Sequence, residues 1–134
     1  MLIPPFGLLL FEEISLGSAE FGDAEVLRRL IAADESIGLP GNVLQELLSG
    51  VREELQFEEL RRAMVGFPIV LATKRAHIEA AQIANRCRRS GVVVSTVDCL
   101  IAAIAIEHKA QLFTTDKDFT RIAENCVLTI FENE

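Results

Sequence analysis

Four carboxylates carry the chemical interest of this chain: Glu46, Asp98, Asp116 and Asp118. Asp98 is the only charged residue between Val92 and Ile106, in the run Val-Val-Val-Ser-Thr-Val-Asp-Cys-Leu-Ile-Ala-Ala-Ile-Ala-Ile. An ionised carboxylate there is costly unless a helix start or a bound cation compensates it. Asp116 and Asp118 stand in Thr-Thr-Asp-Lys-Asp-Phe, and Glu46 lies on a helical pattern after Pro40-Gly41. Clustered carboxylates suit a hard cation such as Mg²⁺ or Mn²⁺, which takes oxygen ligands. Such an ion can activate water and stabilise charge at a phosphodiester under in-line attack. A purely structural account competes with this one. Ser95-Thr96-Val97-Asp98 matches a capping box, and the helix dipole favours a carboxylate at that place. Asp116 and Asp118 could cap a helix around Phe119, and Glu46 falls off the apolar face of its helix, as a solvated glutamate does. No serine or cysteine triad and no glycine-rich phosphate loop is evident, and His77 and His108 are expected on helix surfaces.

The elements that must position these acids are legible from periodicity. Val26, Leu27, Leu30 and Ile31 predict a helix from Asp23, which Gly38, Pro40 and Gly41 break. Val43, Leu44, Leu47, Leu48 and Val51 predict a second helix, and Glu53 to Arg62 a charged third. Phe67–Ala72 reads as a short buried strand. Thr73 caps a long helix that ends in Arg88, Arg89 and Gly91, basic residues followed by a C-terminal glycine. Val92–Val94 reads as a strand, and Ser95 or Thr96 starts a buried helix to about His108. Leu112–Thr114 is a strand, Asp116–Glu124 a short helix and Val127–Phe131 a last strand. This alternation predicts an α/β domain with a mostly parallel sheet. Ligands of such sheets bind beyond the carboxyl ends of the strands, where Asp98 and Asp116 would both arrive.

The 134 residues suit a single domain spanning 1–134, half of it hydrophobic, with a net charge of -7. That charge argues against a general nucleic-acid coat protein but not against an enzyme whose own site is acidic. Basic residues are grouped at Arg61–Arg62, Lys74–Arg75 and Arg86, Arg88, Arg89. Solvated helix faces are the ordinary explanation for such groups. Three cysteines, an odd number without metal-ligand spacing, argue against a disulfide framework or a zinc site. No run is long enough to span a membrane, and the N-terminus lacks the pattern of a signal peptide, so a reducing cytoplasm is the simplest compartment.

Three segments resemble those of VapC-type PIN-domain toxins, from about Asp23 to Phe131. Val43-Leu44-Gln45-Glu46-Leu47-Leu48-Ser49-Gly50-Val51-Arg52 resembles the glutamate helix of that family. Ser95-Thr96-Val97-Asp98-Cys99-Leu100-Ile101-Ala102-Ala103 is similar to its third-acid segment, and Thr114-Thr115-Asp116-Lys117-Asp118-Phe119 to its fourth. The resemblance implies a three-layer α/β/α PIN-like domain and Mg²⁺- or Mn²⁺-dependent cleavage of RNA. It also implies homodimerisation and inhibition by a cognate VapB-type antitoxin. By position Glu46, Asp98 and Asp116 match the family's acids, with Asp118 as the alternative for the last. Asp98 would anchor the metal together with a first aspartate.

That first aspartate is where the chain departs from the pattern. The family opens on a central strand ending in Val-Asp-Thr-Ser, whereas this chain opens Met1-Leu2-Ile3-Pro4-Pro5-Phe6-Gly7-Leu8, and no aspartate precedes Asp23. Glu12 and Glu13 follow Leu8–Phe11, a candidate replacement strand. The genetic code offers an explanation. Joining the third base of each codon to the first two of the next, Met1 to Leu8 permits Val-Asp-Thr-Ser-Val-Trp-Ile, and Phe11 to Ile14 permits Arg-Gly-Asp. Residues 1–22 are therefore expected to be anomalous: an out-of-frame reading of a PIN-domain start, with an insertion or deletion between about Ile14 and Phe21 and Met1 a false start.

Overall fold

In a computed structural model the described residues are 8–10, 37–64, 67–114 and 116–131. The strands are β1 (Leu8–Leu10), β2 (Ile37–Pro40), β3 (Ile69–Val70), β4 (Gln111–Phe113) and β5 (Thr129–Ile130). The helices are α1 (Gly41–Ser49), α2 (Glu54–Met64), α3 (Lys74–Arg89), α4 (Thr96–Glu107) and α5 (Asp118–Ala123). The strands form one sheet in the order β3-β2-β1-β4-β5, parallel at every pairing. Leu8 stands opposite both Ile37 and Gln111, so β1 occupies the centre. The chain moves outward to β3 through α1 and α2, recrosses through α3 and α4, and moves out again through α5. Right-handed parallel connections then place α1 and α2 on one face and the other three helices on the opposite face. This is the three-layer α/β/α arrangement expected.

Burial explains why α4 forms despite its many β-branched residues. Cys99, Ile101, Ala102, Ala103 and Ala105 are wholly buried, and the alanines let the helix pack closely against its neighbours. Leu39, Val43, Ile83, Leu112, Phe119 and Ile122 complete the centre of the core. α3 and α4 form a hairpin. Thr73, which precedes α3, directs its hydroxyl at the Glu107 carboxylate at the far end of α4, 2.7 Å to Oε2 and 3.0 Å to Oε1, so the two helices run antiparallel. Gly91 closes α3 at φ +79°, with Val92 N–H bonded to Cys87 O and Gly91 N–H to Arg88 O. Lys109 closes α4 by the same pattern at φ +53°, with Ala110 N–H bonded to Ala105 O. The cysteines are free, with Cys87 and Cys99 buried as small hydrophobes.

Three local expectations are corrected. Val92–Val94 is a loop, not a strand. Its first N–H is spent on the α3 cap, Val93 is 91% exposed, and Ser95 already begins the next helix. Ile37–Pro40 is a strand where Gly38 and Pro40 predicted a break. Leu39 is fully buried there and its N–H bonds to Pro68 O at 2.9 Å, so packing outweighs propensity. The strand expected over Phe67–Ala72 contracts to Ile69–Val70. The helix expected from Asp23, and Glu12 and Glu13, lie outside the described residues.

Candidate metal centre

A parallel sheet opens a crevice where strand order reverses, because adjacent connections leave on opposite faces. Here that point lies between β1 and β4, the strands from which the chain departs in opposite directions. Asp116 arrives there directly, three residues beyond the end of β4. Its own N–H bonds to Thr114 Oγ1 at 3.0 Å, and its Oδ1 accepts the Asp118 N–H at 2.8 Å. This tight turn starts α5 and fixes both aspartates at the crevice. Asp98 arrives by a different route from the one expected. No strand precedes it; the α3–α4 hairpin carries the first turn of α4 to the same edge. Ser95 caps that turn, its Oγ accepting the Asp98 N–H at 3.0 Å.

One carboxylate oxygen from each of Asp98, Asp116 and Asp118 lies within 4.8 Å of the others, and all three residues are half-buried. Opposite ligands of an octahedral Mg²⁺ are about 4.2 Å apart, so small side-chain rotations bring this set into range. The donors are all hard oxygens, which fits Mg²⁺ or Mn²⁺ and not a thiolate-loving metal. The electrostatics agree. Burial raises the Asp98 pKa above its ordinary value, the Ser95 hydroxyl opposes that, and the charges of Asp116, Asp118 and Glu46 raise it further. A carboxylate surrounded by like charge in a half-buried site is the environment a divalent cation relieves.

Glu46 sits on α1, on the opposite face of the sheet, and is exposed. Its charge reaches Asp98, but it stands outside the close group of three. Two features escaped the sequence reading. Arg121 donates to Asp118 Oδ1 one helical turn away. The spacing of the two residues, three apart on a short helix, was the available signal. Asn42, one turn before Glu46 on α1, buries its side-chain Nδ2 with no hydrogen-bond partner among the described residues. No sequence signal distinguished it.

Comparison with known proteins bears directly on this geometry. A profile of the PIN domain matches residues 19–125. The chain belongs to the PIN-domain family. Its VapC branch is equally clear: ribonuclease VapC11 of Mycobacterium tuberculosis is 34% identical over 100 residues, 72% of this chain and 75% of that protein. The VapC ribonuclease Mb1587 of Mycobacterium bovis matches to the same extent. Solved structures agree on the fold. VapBC2 from Rickettsia felis, bound to a promoter DNA fragment, superposes with a TM-score of 0.75 at 22% identity, covering 94% of this chain and 99% of that one. VapBC from Salmonella typhimurium gives 0.74 at 18% identity, covering 94% and 97%. This PIN-domain chain is thus a member of a nuclease family. Among its described residues no helix is long and apolar enough to cross a membrane.

Proposed function

We propose that this PIN-domain chain is a metal-dependent endoribonuclease, the toxin of a toxin–antitoxin pair. It hydrolyses RNA phosphodiester bonds in the cytoplasm, acts as a homodimer and is restrained by a VapB-type antitoxin. The observation that carries the reading is the convergence of Asp98, Asp116 and Asp118 at the β1–β4 crevice. The VapC relatives, named as ribonucleases, supply the substrate class. Mg²⁺ or Mn²⁺ bound there would activate water and neutralise charge on the phosphodiester. Asp98 and Asp116 would hold the ion, with Asp118 as the alternative to Asp116. Ser95 and Thr114 fix the backbone from which those two aspartates project. Glu46 faces them from the other layer and completes the acidic pocket, directly or through water. The test is cleavage of RNA by the purified chain with Mg²⁺ or Mn²⁺, abolished by chelation and by Asp98→Asn. Cleavage that survives either treatment refutes the reading.

A second reading is a catalytically inactive remnant that still dimerises and binds an antitoxin. Its support is the N-terminal segment: the family profile begins at residue 19, after β1, and no aspartate precedes Asp23. The sequence thus carries no aspartate in or just after β1, where the family pattern places one. On this account metal binding is weak and cleavage is slow or absent. The DNA across codons Met1 to Asp23 decides its origin: a shifted frame that does not encode Val-Asp-Thr-Ser ends the frameshift explanation.

A further inference from the structure

The chain is acidic overall, yet a run of exposed cations leads away from the acidic crevice. Lys117 stands between Asp116 and Asp118, and Arg121 lies one turn along α5. α5 then leads to Asn125, whose Oδ1 accepts the Ser90 hydroxyl at 2.7 Å. That bond ties the end of α5 to the end of α3, where Arg86, Arg88 and Arg89 are all exposed. Arg86 is near enough to Cys126 for its charge to act on that thiol. The length of α5 sets the offset between the carboxylates and the arginines at about 10 Å.

Other basic pairs lack this placement. Lys74 and Arg75 open α3 at its opposite end, beside Glu107 and away from Asp98. Arg61 is held by Glu58 on α2. Among the described residues no ion pair engages Lys117, Arg86, Arg88 or Arg89; Arg88 and Arg89 bond only to the side chain and backbone oxygens of Asn85. The dipole of α3 favours cations at its C-terminus, but it does not account for Lys117, which opposes the dipole of α5. Arg121 is paired with Asp118, and the four remaining cations outnumber Glu124, the exposed acid left on this stretch.

We propose that Lys117, Arg86, Arg88 and Arg89, joined by the Ser90–Asn125 bond, form a phosphate-binding strip that holds the backbone of single-stranded RNA beside the acidic crevice. The proposal rests on the ribonuclease reading and adds where the substrate lies. Guanidinium groups pair with phosphate oxygens, and Asn85, Ser90 and Asn125 supply neutral hydrogen-bonding groups of the kind that meet sugar and phosphate. No aromatic side chain is among these residues to stack on bases or to anchor a protein partner, so the strip reads charge and not sequence.

The test uses full-length chain carrying Asp98→Asn, so that RNA is bound uncut, and two fluorescent single-stranded RNAs of unrelated sequence in a salt series. Arg86→Gln, Arg88→Gln and Arg89→Gln together should weaken binding of both RNAs about tenfold and flatten the log affinity against log salt slope by about 2, near 0.7 per lost contact. Lys74→Gln with Arg75→Gln should leave affinity and slope unchanged. An unchanged slope in the triple variant, or an equal loss in the Lys74/Arg75 control, overturns the strip while leaving the ribonuclease reading intact. Normal RNA binding with loss of binding to polyglutamate makes the surface a protein dock and likewise overturns it. Failure of the chain with its arginines intact to bind either RNA overturns the ribonuclease reading together with the strip.

Discussion

α3 and α4 begin with the same cap and make opposite use of it. Thr73 and Ser95 each accept the N–H three residues on, at 3.1 Å from Ala76 and 3.0 Å from Asp98. At α3 that third position is a buried alanine, and the anion that suits a helix start is borrowed from Glu107 of the partner helix. At α4 the third position carries its own carboxylate, which faces three other acids. The backbone of α4 is already capped by Ser95, so Asp98 is not needed to start the helix. A residue that is redundant for folding and electrostatically penalised is the signature of a site, whereas the α3 start is structure alone.

Asp98→Asn breaks the contrast most severely. Mn²⁺ binding, followed by electron paramagnetic resonance, should be lost, and RNA cleavage should fall by more than about 100-fold. The metal-free protein should melt at a higher temperature, because a crowded charge has been removed. A lower melting temperature would show that Asp98 earns its place as a cap. Next in size, Ser95→Ala and Thr73→Ala should each cost about 1 kcal/mol in urea unfolding. Only Ser95→Ala should also weaken Mn²⁺ binding; equal weakening by Thr73→Ala would erase the distinction between the two starts.

The pH dependence sharpens the same point. Asp98 holds its proton more tightly in the folded chain than in the unfolded one, since its pKa is raised from 3.8. Its contribution therefore favours folding at low pH and is lost as pH rises from 3.8 through the raised value. Metal-free unfolding measured across that window should be flatter in Asp98→Asn than in the parent; identical profiles would contradict the assignment. The smallest effects belong to the other ends of the two helices. Lys109 holds the left-handed cap position that Gly91 fills at α3. Lys109→Gly should stabilise by up to about 1 kcal/mol and Gly91→Ala should destabilise by about 1 kcal/mol. A Lys109→Gly variant that is destabilised would mean that the two caps are not equivalent in strain.

The acids were legible in sequence, but the route that unites two of them was not. Asp116 follows its strand as expected. Asp98 is expected at a helix start that follows a strand of Val92–Val94, because three valines in a row satisfy β propensity. That propensity is overruled by the hydrogen bonds the loop owes to α3 and by the cap it must present to α4. The reverse happened at Ile37–Pro40, where glycine and proline concealed a strand held by a buried leucine and by pairing with β1 on one side and β3 on the other. Helix starts at Thr73 and Ser95 were readable because hydroxyl, spacing and apolar run all lie within a few residues of each other. The Ser90–Asn125 contact was not, because it joins distant segments through two ordinary polar side chains.

The position of β1 has a consequence for how the molecule is made. Its partner in register, Gln111 opposite Leu8, comes from nearly the other end of the chain. Such non-local pairing slows folding, because the entropy of closing the loop is given up before the contact is gained. The crevice between β1 and β4 cannot exist on a half-synthesised chain, because one of its walls has not yet left the ribosome. A nuclease built this way would stay harmless to the message being translated until its own synthesis was almost finished.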